Sequence, residues 1–193
     1  MKLFHKKSTF YLLCTGTVLM MFVMIYSGHL LNTTHTPKGI ICLELANTYQ
    51  KVQHILSAWK TSSTIDNDLI SIAKNNTRLD FVFLFLYAFF LFTCCIQLAH
   101  SLTQRKIFST TFYAMAVCAL AAGVLDIFEN IGMLRSLNGN GSERIAAATA
   151  FISYMKWSLV ILVISFISAG IIYKCHFRIK HPKLTQPLHR NIL

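Results

Sequence analysis

Charge is scarce in this sequence, and acid is scarcer: 13% of the 193 residues are charged, with seven acidic side chains against eighteen lysines and arginines. A soluble domain, in which about a quarter of the residues carry charge, is excluded by that balance. Proline is limited to Pro37, Pro182 and Pro187, so none of the long apolar runs carries the helix break common in transporters. Of the six cysteines only Cys42 falls in a segment expected outside the membrane, which removes a disulfide framework. Cys94, Cys95 and Cys175 read as small packing residues, with acylation as the alternative in a eukaryotic host.

Chemical signatures are missing too. No Cys-x-x-Cys, Gly-x-Ser-x-Gly, His-Glu-x-x-His or phosphate-cradling glycine loop occurs. His29, His35 and His54 have no compact metal-ligand spacing, so neither a metal nor a cofactor is expected.

What the sequence does have is long apolar runs, with 54% of residues hydrophobic. Four stretches, at roughly 9–31, 79–99, 107–134 and 145–173, reach the length of about 20 residues needed to cross a bilayer. The expectation is an all-α membrane protein, a four-transmembrane-helix bundle forming one domain over 1–175, with a basic, disordered cytoplasmic tail at 176–193. The first stretch is too long for a signal-peptide core and lacks a small-x-small exit, so it reads as an uncleaved signal anchor.

Basic residues set the expected orientation. Lys2, Lys6 and Lys7 precede the first span, Arg105 and Lys106 separate the second and third, and Lys174, Arg178, Lys180, Lys183 and Arg190 follow the fourth, without an acid among them. Both termini are therefore expected on the cytoplasmic side. The formal charge of +11 is accounted for by this signal and by attraction to anionic lipid, so no nucleic-acid partner is expected.

Between the first two spans, residues 39–76 read as an external helical segment. Ile41, Leu45, Val52, Ile55, Leu56 and Trp59 recur at helical spacing and predict an amphipathic helix lying on the outer interface or capping the bundle, with Trp59 at the headgroup level. Ser63-Thr64-Ile65-Asp66 has the form of a capping box opening the next helix. The turn around Asn138-Gly139 makes the third and fourth spans antiparallel neighbours.

The candidate site consists of residues that do not belong in lipid. On a helix, Asp126, Glu129, Asn130 and Met133 share one face, and Lys156 of the fourth span can meet them across the short hairpin. Asp80, at the start of the second span, adds an acid at the same level. Glu44, His29, Tyr87 and Tyr154 form a surrounding set. One lysine does not neutralise these carboxylates, so either Arg78, Arg135 or Arg144 reaches in from the rim or an acid keeps its proton. Charges at this depth cost on the order of 2.5–3.5 kcal/mol each when unpaired, which directs them inward. Two readings remain open: a buried ion-pair network that sets helix register, and a polar pocket in the outer leaflet.

The stretch from Ile41-Cys42-Leu43-Glu44-Leu45-Ala46 to Trp59, then Leu79-Asp80-Phe81 before Tyr87, then Leu125-Asp126-Ile127-Phe128-Glu129-Asn130, resembles a group of uncharacterised bacterial four-span membrane proteins with an Asp-x-x-Glu-Asn element in the third span. The resemblance implies a bacterial inner-membrane location and no activity. The function expected from the residues is binding of a membrane lipid or of a membrane-protein partner, a second copy included, at the outer polar site. The alternatives are a small proton- or ion-coupled transporter and an intramembrane enzyme acting on lipid, with Asp126 and Glu129 as acid and base.

Overall fold

The structure is a computed structural model that describes residues 7–103 and 106–180. Six α-helices follow one another among the described residues, with no strand: α1 (Lys7–Gly28), α2 (Ile40–Glu44), α3 (Tyr49–Ser62), α4 (Leu69–Ser101), α5 (Lys106–Leu137) and α6 (Glu143–Lys180). Four of them, α1, α4, α5 and α6, are long and apolar enough to cross a membrane, which fits a multi-pass membrane protein. The basic residues before Lys7, Arg105, and the expected disorder of the tail beyond Lys180 lie outside the described residues. Helix α6 continues into the predicted tail as far as Lys180.

Small residues let the long helices approach. A Cβ on Gly123 of α5 would lie 2.8 Å from the Cβ of Ala88 on α4, and one on Gly132 would collide with the Thr149 hydroxyl of α6. Helix α5 therefore sits tightly against both neighbours. Leu84, Leu91, Cys95, Ala116, Ala119 and Val163 belong to the apolar core between them. Helix α1 docks differently, on α4. Asn76 of α4 donates through Nδ2 to the Met24 carbonyl at 3.0 Å and to Ser27 Oγ at 2.7 Å, tying the end of α1 in place.

A second core covers the end of the bundle where α1 and α5 finish and α4 and α6 begin. Leu43, Val52, Ile55, Leu56 and Trp59 pack there with Leu69, Ala73, Met133, Leu137 and Ala146. This is the cap. It departs from the sequence expectation in three ways.

The single helix expected from Gly39 to Trp59 is interrupted between α2 and α3. Thr48 Oγ1 caps α3 by accepting from Lys51 N at 3.3 Å, while Glu143 Oε2 at the start of α6 accepts from Tyr49 N at 2.8 Å. The interruption rotates α2 relative to α3, so Leu43 and Glu44 are buried while Ile41 is exposed. Trp59, placed by the sequence at the headgroup level, has no exposed surface. Its indole N–H donates to Leu31 O at 3.1 Å and to Thr36 Oγ1 at 3.0 Å, and a satisfied N–H makes full burial affordable. Finally, Ser63 ends α3 instead of opening α4. Asp68 is the N-cap of α4, accepting from Ile70 N at 3.1 Å, and a hydrogen bond with Ser71 holds its carboxyl below the usual carboxylate range. Ser63 Oγ still serves both helices, donating to Trp59 O and accepting from Leu69 N.

Replacing Trp59 with Phe should lower stability by about 1–3 kcal/mol, because both oxygens lose a donor in a buried site. Thermal unfolding in detergent measures this loss. An unchanged midpoint would show that these hydrogen bonds contribute nothing net.

Candidate functional site

Helical spacing brings the ionisable residues together just beneath the cap. Asp126, Glu129, Asn130 and Met133 form one buried stripe on α5. Lys156 of α6 points at it: Nζ lies 2.8 Å from Glu129 Oε1, 3.0 Å from Asp126 Oδ1 and 3.9 Å from Glu44 Oε2 of α2. Among the described residues, Lys156 is the cation of all these ion pairs. Tyr87 of α4 donates to Asp126 Oδ2 at 2.7 Å, and Asn130 Nδ2 donates to Asp80 Oδ2 at 2.7 Å. Trp157 Nε1 reaches Glu44 Oε2 at 3.4 Å, and its ring centroid lies 5.2 Å from the Lys156 ammonium.

The structure thus gathers Asp80, Asp126, Glu129, Asn130, Lys156, Tyr87 and Glu44 in one network. It does not gather His29 or Tyr154. His29 is exposed and turned back on Tyr26, with Nδ1 2.6 Å from the Tyr26 carbonyl. Tyr154 is exposed on α6, two residues from Lys156 and so on another side of the helix. Arg78, Arg135 and Arg144 are exposed, and no ion pair of theirs enters the network.

Two properties separate this network from a closed structural clamp. Three carboxyl groups, those of Glu44, Asp126 and Glu129, share a single ammonium, and Asp80 adds a fourth acid beside them through Asn130, so acid is in excess. In addition, Glu129 Oε2, Asn130 Oδ1 and Ser153 Oγ are buried and find no hydrogen-bond partner among the described residues. A network serving only to fix helix register would be expected to satisfy its own polar atoms, since each buried polar atom left alone costs about 1–3 kcal/mol.

Glu44, Asp80, Tyr87, Asp126 and Lys156 of this network, but not Glu129, Asn130 or Ser153, also line a cavity of about 620 Å³, within the range of about 300–1,000 Å³ usual for small-molecule sites. On α4 the wall follows Asn76, Asp80, Phe83, Tyr87, Phe90 and Leu91, one stripe at three- and four-residue spacing about 22 Å long. Helix α1 supplies Thr17, Met21, Met24, Ile25 and Gly28, and α6 supplies Lys156, Trp157, Val160 and Ile164. Met21, Ile25, Trp157 and Ile164 are also substantially exposed, so the cavity opens sideways between α1 and α6. Its walls change character along its length. Glu44, Asp80, Asp126 and Lys156 lie toward the cap; Phe90, Leu91, Val160 and Ile164 lie farther down the bundle.

Sequence reasoning missed Asn76, Lys38 and Trp157 as parts of this wall. Asn76 did carry a signal, since it precedes Asp80 by four residues and so shares its face of α4. Lys38 carried none, because its position depends on the fold of the cap. Among the described residues, no group of three or more His, Cys, Asp or Glu side chains is arranged to hold a metal.

Comparison with protein families, curated proteins and solved structures finds no match.

Proposed function

We propose that this chain is a multi-pass membrane protein that binds a membrane lipid in the cavity between α1 and α6. The observation that carries this reading is the polarity gradient of the cavity wall, with charged groups under the cap and apolar side chains below them. That is the profile of an amphiphile lying parallel to the helices, headgroup toward the cap. The sideways opening gives such a molecule a route in from the bilayer. Below the cavity, Cys95, Ala99, Phe112, Ala116 and Ile167 belong to a buried apolar core. That core supports binding over transport, since it offers an ion no polar path to the far end.

In this reading the cap lies on the outer face and both termini face the cytoplasm, in agreement with the basic residues flanking α1, α5 and α6. The implied membrane is the inner membrane of a bacterium. A cysteine placed at the exposed Ser62 of the cap should react with a membrane-impermeant thiol reagent in intact cells, while Cys175 should not. The opposite pattern would reverse the orientation.

Native mass spectrometry of the protein released from lipid nanodiscs tests the binding itself. One retained lipid per chain is expected. A chain that emerges free of lipid under conditions that keep it folded counts against the reading.

A further inference from the structure

Taking the lipid reading as its premise, we infer that the cavity selects a headgroup carrying a primary ammonium, held between Glu44 and Asp80. Asp126 spends both oxygens on protein donors, Oδ1 on Lys156 and Oδ2 on Tyr87. Glu44 and Asp80 do not. Glu44 engages Trp157 and Lys156 through Oε2, and Asp80 engages Asn130 through Oδ2. Each has a second oxygen and each lines the cavity. Glu44 is only 8% exposed although it belongs to the cap, so its carboxyl is committed to the interior.

A carboxylate oxygen accepts hydrogen bonds and donates none, so the occupant must bring the N–H groups. A primary ammonium brings three and also reduces the excess of acid over Lys156. A quaternary ammonium brings charge without donors, and a hydroxyl headgroup brings a donor without charge. The Trp157 ring already pairs with the Lys156 ammonium, which makes it a poor aromatic partner for a quaternary group. Lys38, an exposed cation before α2, lines the same cavity. A headgroup with its ammonium between Glu44 and Asp80 and its phosphate at Lys38 meets opposite charge at both positions. Phosphatidylethanolamine has that order of charges.

The experiment compares phosphatidylethanolamine, phosphatidylcholine and phosphatidylglycerol of identical chains, titrated into delipidated full-length protein in detergent and read by native mass spectrometry. Phosphatidylethanolamine should bind at least tenfold more tightly than phosphatidylglycerol and several-fold more tightly than phosphatidylcholine. Asp80→Asn and Glu44→Gln should each reduce the preference over phosphatidylcholine to near unity. Lys38→Met should weaken all three phospholipids alike and leave dodecylamine, which has the ammonium but no phosphate, unchanged. Equal binding of the three lipids, or a preference that survives both carboxylate substitutions, overturns the headgroup assignment while lipid binding stands. Failure of all three lipids to bind, or occupation of the cavity by a partner's helix instead, overturns both.

Discussion

Lys156→Met should destabilise the protein by about 3–5 kcal/mol, the range for removing one member of a buried ion pair. Lys156 is 6% exposed and is the cation closest to Asp126 and Glu129, themselves 2% and 0% exposed. Methionine fills most of the space and leaves three buried carboxylates, Asp126, Glu129 and Glu44, without their counter-charge, so the effect is electrostatic and not a packing loss. The size matters because a domain's total stability is only about 5–15 kcal/mol. Chemical or thermal unfolding in detergent reads it. Two further variants separate charge from shape. Lys156→Met combined with Asp126→Asn, Glu129→Gln and Glu44→Gln removes the ion-paired charges as a set and should recover most of the loss, as replacement of whole buried ion clusters often does. Lys60→Met, on the exposed side of α3, should stay within about 0.5 kcal/mol of the parent. A Lys156→Met protein as stable as the parent would show that the ion pairs do not hold the bundle together.

Val160→Trp should reduce lipid binding at least tenfold with little change in stability. Val160 lines the apolar part of the cavity, one helical turn below Lys156, and is only partly buried. An indole there extends into open space, avoiding the cost of about 1–3 kcal/mol that overpacking a filled core would bring. On the proposed lipid reading, the indole takes the space of the acyl chains while the polar network above is untouched. The neighbouring Ile161 is exposed and does not line the cavity, so Ile161→Trp adds the same bulk and should leave binding unchanged. Lipid retention is read by native mass spectrometry and stability by thermal unfolding. Equal retention in Val160→Trp and the parent would place the lipid elsewhere.

Much of this molecule can be read along one dimension. The four long helices follow from apolar runs, because the transfer of each side chain into hydrocarbon is a local property of the segment that carries it. The shared face of Asp126, Glu129 and Asn130 follows from helical spacing, and their need for Lys156 follows from the cost of leaving charge unpaired in an apolar medium. Glu44 could be named as a neighbour but not as an ion-pair partner. Its burial requires α2 to end before α3 begins, and that interruption depends on Thr48 capping α3 and Glu143 of α6 reaching Tyr49. A hydrophobic pattern that runs through the interruption gives no sign of it.

The cavity is the clearest case of what tertiary structure alone decides. Helix α1 is apolar on every side, so its composition places it in a membrane but says nothing about which neighbour it chooses. The choice falls to a few contacts distant in sequence, chiefly Asn76 with the end of α1. Because α1 docks on α4, and α6 packs mainly on α5, a slot remains between α1 and α6. The sequence by itself determined the helices, their capacity to span a bilayer and the charges that must be compensated, since each depends on side-chain chemistry at fixed local spacing. Whether those charges close on one another or face an open cavity was decided by helix packing, which rests on contacts between segments far apart in the chain.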